Sequence, residues 1–303
     1  MIKNGVLRLK KHKNIRFLIN RLFFIFCLIL STGFLACKSA PETFPVEAMD
    51  LLDLESEFYI SIPNQADPDL IKYFLKKNIN NLNEESINLL SERINTIYCG
   101  ILHEKKSYKI QAAISESIPA NFASKKIKKI KDINKIQYEI DSNIYDSYNY
   151  NGLELSLPGN NLALAGRNIN EMLQRYDSIH STGFGQTVWE DEEIYEFLKS
   201  PVNEIRFYSN KADYFLSILI GHQLNLHLKS FKGEFKIDPN YKSQYIVDID
   251  LEFQNEKFMR ASRSLLALTF GLTGSDIEII DSNKLSISNI QLKKELLYKL
   301  LIL

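Results

Sequence analysis

The chain has 303 residues, in which 37 basic and 37 acidic side chains balance. All seven charged residues of positions 1–36 are basic, so the remainder carries 30 basic against 37 acidic residues, a net charge of −7. A net-acidic body argues against nucleic acid as a partner, because neutralising phosphates requires an excess of Lys and Arg. Of the three cysteines only Cys99 lies beyond position 37. The body must therefore be held by its core, which a chain of this length can bury.

The first 37 residues have the three parts of a secretory signal. A basic block over 1–21 is followed by the apolar run Leu22–Leu30 and by the small residues Ser31, Thr32 and Gly33. The apolar run is about ten residues long, short of the roughly 20 that a membrane-spanning helix needs. We therefore predict a cleaved signal peptide over 1–36. A permanent transmembrane anchor is the alternative.

The signal ends in Phe34-Leu35-Ala36-Cys37, which resembles the lipobox of bacterial lipoproteins. Ala36 and Cys37 match the family pattern, whereas Phe34 stands where the family usually has Leu, a relaxation similar to that of spirochaete lipoboxes. The resemblance implies that Cys37 is the lipidation site, carries palmitate-type acyl chains and anchors the protein in a membrane of the cell envelope, inner or outer. Ordinary cleavage near Ala36, with Cys37 as a bystander, is the alternative. The rest of the chain is only diffusely similar to spirochaete lipoproteins of this size.

Beyond the signal, strand and helix patterns alternate and predict an α+β fold, with antiparallel sheets and helices on one face. We expect the lipidated Cys37 and a tether over 37–56, a first α+β half over 57–177, a connecting loop over 178–203 and a second α+β half over 204–303. Both halves follow the order strand, helix, hairpin, helix, hairpin, helix. A duplicated unit is one explanation, and chance alternation of short elements is the other.

The clearest single element is the run from Tyr245 to Phe253. Apolar side chains at odd positions alternate with Asp248, Asp250 and Glu252, which predicts a half-buried antiparallel strand. Asp67 followed by Pro68 predicts the start of a helix. We also expect a hairpin over 96–114 and a helix over 119–131.

Three features are candidates for binding. Residues 178–193 lack a clear period and hold the only tryptophan, Trp189, so we expect an exposed, functional loop there. Tyr145, Tyr148 and Tyr150, with neighbouring Asn and Asp, suit glycan or peptide contacts, although tyrosine is also common in strands. The basic stretch 125–131 predicts an amphipathic helix that is either an ordinary surface helix or lies on anionic lipid.

Metal and catalytic motifs are not predicted. His222 and His227 are five positions apart, which is not the spacing of a helical zinc pair. The acids of 190–193 lack the alternate ligand spacing of a calcium loop and suit the start of a helix. We predict no cofactor and no catalytic residue.

The functional prediction is a non-enzymatic binding or structural protein of the envelope, held by acyl chains on Cys37, with an undetermined protein or glycan partner. An envelope hydrolase, or a lipid-binding and transfer protein with an apolar cavity, are the alternatives.

Overall fold

In the computed structural model, the described residues are 43–53, 55–78, 83–104, 107–117, 127, 133–184, 189, 191–199, 203–220, 223–271 and 274–301. The chain divides into two units, and everything below concerns the unit from Pro45 to Leu303. Its strands form one twelve-stranded sheet in which every neighbouring pair is antiparallel. The strands are β1 Phe58–Pro63, β2 Ile94–Glu104, β3 Ser107–Glu116, β4 Asn134–Ile140, β5 Asn143–Tyr150, β6 Leu153–Gly159, β7 Leu162–Gly166, β8 Ile205–Ser209, β9 Leu228–Ile237, β10 Gln244–Phe253, β11 Asp276–Asp281 and β12 Lys284–Lys293.

Seven α-helices and one short 3-10 helix, η1 (Ala48–Leu51), accompany the sheet in the described residues. The α-helices are α1 Pro68–Asn78, α2 Glu84–Ser91, α3 Asn170–Thr182, α4 Glu192–Lys199, α5 Ala212–Ile220, α6 Glu256–Gly271 and α7 Lys294–Leu300. The α+β prediction is confirmed. No helix in these ranges is long and apolar enough to span a membrane.

The strand order is β11-β12-β10-β9-β8-β1-β2-β3-β7-β6-β5-β4, so β1 and β8 pair at the centre. The third strand of each half pairs with the last strand of that half, β3 with β7 and β10 with β12. The first half has two further strands, β4 and β5, beyond this shared order. A common origin of the halves stays a prediction.

Two cores lie on opposite faces of the sheet, because successive side chains of a strand point to opposite sides. Phe58, Ile60 and Ile62 of β1 belong to the larger core on what we call the A face, together with residues of α1, α5, α6 and α7. Tyr59 belongs to a second core on the B face, which is built with η1, α3 and α4. Helices therefore lie on the A face as predicted and, in addition, on the B face, where α3 lies over the first half and α4 lies over β1 and β8.

Local sequence signals account for several element starts. The carboxylate of Asp67 accepts the backbone N–H groups of Asp69 and Leu70 at 3.1 and 3.2 Å, which caps α1 behind Pro68 as predicted. The predicted strand over 245–253 is confirmed as β10, whose burial alternates at every position. The hairpin predicted over 96–114 is also confirmed, as β2 and β3.

Two boundaries differ from the predictions. The tether was expected to run to residue 56, but Ala48, Met49, Leu51 and Leu52 are buried on the sheet. The expected connecting loop over 178–203 contains the end of α3 and all of α4. Both differences have the same physical reason, which is that these segments fill the second core. The alternation pattern of a strand does not show whether other elements pack on its outer face. The helix predicted over 119–131 lies outside the described residues, except for Ile127.

Candidate functional site: the anchor junction

The chain enters the domain through a charged cluster that we call the anchor junction, formed by Asp53, Lys109, Glu171 and Arg175. Lys109 Nζ lies 2.7 Å from Asp53 Oδ2 and 3.2 Å from Glu171 Oε2. Arg175 Nη2 lies 3.9 Å from Asp53 Oδ1. The side chains of Asp53, Lys109 and Arg175 are at most 19% exposed, so the bulk solvent screens this cluster less than it screens a surface ion pair.

Backbone contacts fix the same segment to the sheet. Arg175 Nη1 donates to the carbonyl oxygen of Leu51 at 3.0 Å, and Tyr59 Oη donates to the carbonyl oxygen of Asp53 at 2.8 Å. Gly100 of β2 lies beneath, where an added Cβ would stand 2.5 Å from Ser56 Oγ. The entering chain is therefore in close contact with strands β1 and β2 and with helix α3.

Electrostatics favour the charged forms of the central pair. Burial acts to raise the pKa of Asp53. Two effects outweigh it and hold that pKa below its usual value: the hydrogen bonds from Lys109 and from the amide of Glu55, and the charges of Lys109 and Arg175. Burial acts to lower the pKa of Lys109, and hydrogen bonds to Asp53 and Glu171 raise it above its usual value. The junction is thus an ionic contact over the whole neutral range.

A second buried carboxylate, Asp67, connects the two halves. Its Oδ2 atom accepts a hydrogen bond from Tyr245 Oη at 2.5 Å and another from Tyr298 Oη at 3.3 Å, and Lys294 Nζ lies 2.8 Å away. Asp67 is fully buried. Burial, followed by the charge of Asp67, raises the pKa of Tyr245, so its hydroxyl remains a donor. This cluster joins α1 to β10 and α7.

The tyrosines of 145–150 are largely internal, which favours ordinary strand tyrosines over the alternative of glycan or peptide contacts. Tyr145 is 8% exposed and its hydroxyl donates to Asp177 Oδ1 at 2.5 Å, while Tyr148 is 2% exposed. Tyr150 is half-buried. These rings pack in the cores because β5 has helix α3 on its B face and Ile127 against its A face.

Trp189 is not an exposed loop residue either. Its ring lies 4.5 Å from that of Tyr59 and 6.1 Å from that of Tyr195, and it packs against the second core. Asp191 caps α4 through the N–H groups of Glu193 and Ile194, as expected for the acidic stretch.

Among the described residues, no group of three or more His, Cys, Asp or Glu side chains could hold a metal ion. His227 stacks on Phe258 at 4.1 Å between ring centroids, and His222 lies outside the described residues. Cys37 and the basic stretch 125–131 also lie outside them. No local sequence signal predicts the anchor junction, because Asp53 follows η1, Lys109 lies in β3, and Glu171 and Arg175 lie in α3, so they meet only in the folded chain.

These features define a body of the α+β class, built on one antiparallel sheet whose elements are joined by ion pairs and buried carboxylates. The chain belongs to the family described as outer membrane-associated lipoprotein TP0453, whose model matches residues 43–298. The prediction of an exported, membrane-anchored lipoprotein, with a diffuse likeness to spirochaete lipoproteins, is confirmed by this membership.

Solved structures of TP0453 are similar to this chain in fold. Crystal form I is 15% identical, with a TM-score of 0.64 over 85% of this chain and 97% of that one. Crystal form III is 15% identical, with a TM-score of 0.63 over 84% and 97%. At these identities the likeness shows the fold alone. No curated protein sequence matches the chain.

Proposed function

We propose that this protein is a non-enzymatic binding or structural module of the outer membrane, held there by acyl chains on Cys37. The observation that carries the proposal is the anchor junction. Residues 48–53 are built into the second core, and Asp53 is in ionic contact with Lys109 and Arg175, so the folded body begins close to Cys37 in the sequence. Only seven residues separate Cys37 from Pro45, a span of at most about 30 Å.

Three of the buried carboxylates support a structural role over a catalytic one. Asp53, Asp67 and Asp177 each accept hydrogen bonds from side chains of other elements, and each joins separate parts of the fold. A catalytic acid or base needs a free position toward a substrate. In these clusters the carboxylate oxygens are engaged in packing contacts within the fold.

Lipidation of Cys37 is tested by metabolic labelling of cells with a clickable palmitate analogue. We expect labelled wild-type protein in the detergent phase and no label on the Cys37→Ser variant. Cys27→Ser is the matched control, because Cys27 lies in the apolar run of the signal, and it should keep the label. The label reports acylation even when the variant retains its signal peptide. A Cys37→Ser protein labelled as strongly as wild type would place the anchor elsewhere.

A further inference from the structure

One edge of the sheet is formed by β11, a strand that is short, acidic and exposed. β11 stands at the end of the strand order, so among the described strands it pairs only with β12. Five of its six residues are exposed, including Ile279 at 44% and Ile280 at 56%. Alternate backbone N–H and C=O groups of an edge strand point away from its neighbour and can pair with another strand. This edge therefore offers backbone hydrogen bonds together with apolar side chains.

The opposite edge strand, β4, is protected in a way that β11 is not. Lys135 Nζ lies 2.7 Å from Asp146 Oδ1, and Gln137 Nε2 donates to the same oxygen at 3.0 Å. The Tyr138 hydroxyl donates to Glu154 Oε2 at 2.7 Å. These side chains are held by β5 and β6, and a lysine on an edge strand is a common means of preventing further pairing. β11 has no lysine, so it is the edge that is better suited to accept a strand.

The charges of β11 indicate which kind of strand fits its outer side. The cross-strand partners of Asp276 and Glu278 on β12 are both uncharged serines, Ser288 and Ser286. Opposite charges directly across a strand pair stabilise the pair, and like charges destabilise it. A strand with Lys or Arg facing these two carboxylates would therefore complement them. A second copy of β11 would instead bring the same acids, and the body as a whole is net acidic.

We propose that the β11 edge binds an extended segment of a partner protein, with alternating basic and apolar residues, as an added outer strand of the sheet. Ile277 packs against the A-face core, and Ile279 lies opposite Leu285 of that core, so apolar side chains of the added strand would extend it. On the B face its basic side chains would meet Asp276 and Glu278. Backbone hydrogen bonds supply affinity in this mode of recognition, and alternate side chains supply specificity. The proposal rests on the binding role proposed above and names the kind of partner.

The test uses the full-length protein in a zwitterionic detergent, with a fluorescein-labelled peptide of alternating lysine and valine that matches the six residues of β11. Fluorescence anisotropy should show saturable binding, and amide hydrogen exchange should slow in β11 but not in β4. Glu278→Lys should weaken binding about tenfold, because an opposite-charge pair becomes a like-charge pair. Glu139→Lys is the matched control, because it makes the same change at an exposed position of the other edge strand, and it should bind as wild type does.

A second peptide separates strand addition from simple charge attraction. A peptide of alternating lysine and proline keeps the charge, but proline has no N–H and does not fit a strand ladder. This peptide should therefore bind about tenfold more weakly or less. Because Glu278 is exposed, Glu278→Lys should melt as wild type does, so that its loss of binding reports the edge and not misfolding.

Several results would overturn the proposal. They are no binding of the lysine–valine peptide to wild type, equal binding of the two peptides, or an equal loss in Glu139→Lys. A wild-type dimer that becomes a monomer in Glu278→Lys would also overturn it, by assigning the edge to a second copy of the chain. Binding in detergent does not depend on acylation, so a negative result here is distinct from loss of palmitate label at Cys37.

Discussion

The strands β1 and β10 belong to the same sheet but differ on the B face. Every residue of β1 is buried, whereas β10 is buried only at alternate positions. The B-face residue Tyr59 lies under the second core, while Asp248, Asp250 and Glu252 are half-exposed. The A faces of both strands share one core. The difference shows that β1 has a layer on both sides of the sheet and that β10 has one.

The largest test of this comparison uses Tyr59 and its cross-strand neighbour Tyr208, which face each other across the central pair of strands. Tyr59→Ala removes a ring that is 4% exposed and should cost about 3–5 kcal/mol of unfolding free energy. Tyr208→Ala removes a half-buried ring and should cost about 1–2 kcal/mol. Urea unfolding of both variants measures the two losses, and equal losses would contradict a second layer that covers Tyr59 more fully than Tyr208.

The next test compares adjacent residues of β10. Ile249 is 4% exposed in the A-face core, so Ile249→Ala should cost about 2–5 kcal/mol. Asp250 on the B face is half-exposed, and Asp250→Ala should change stability by no more than about 0.5 kcal/mol. Urea midpoints that fall in this order, with an unchanged dependence of the unfolding free energy on urea concentration, would confirm the order of the two stability losses. The reverse order would mean that Asp250 is buried and paired and would reopen the search for an active site.

The sequence predicts β10 but not the second layer, because sequence patterns report interactions between residues that are only a few positions apart. The alternation of Tyr245–Phe253 and the cap formed by Asp67 and Pro68 are set by neighbours a few positions away. The contact between Asp53 and Lys109 joins residues 56 positions apart, and that between Tyr108 and Tyr214 joins residues 106 apart. The residues next to Tyr59 in the sequence do not show whether its ring is covered by a helix or lies on the open face of a strand.

The smallest of the three expected losses of stability concerns the anchor junction. This cluster lies in the part of the molecule where both faces of the sheet are covered. Asp53→Asn removes the charge that pairs with Lys109 and should cost about 1.5–3 kcal/mol at pH 7, the usual range for a hydrogen bond to a charged group. Because the pKa of Asp53 is lower in the folded protein, its contribution is complete above the unfolded value of about 3.9 and is lost as the pH falls through the folded value.

Unfolding of wild type and Asp53→Asn across pH 2 to pH 8 should therefore give two curves that converge at acid pH. The contribution of Lys109 to stability has the opposite pH dependence, because its pKa is raised on folding. That contribution is complete below about pH 10 and is lost as the pH rises through the folded value. The gap between the curves should thus be flat from about pH 5 to pH 8. Asp250→Ala is the control, since its curve should follow wild type throughout. A gap that persists at pH 2 would show that the loss in Asp53→Asn does not come from the carboxylate charge, and residues 48–53 would then be held by the buried side chains of η1 and by the hydrogen bonds that Arg175 and Tyr59 donate to backbone carbonyls.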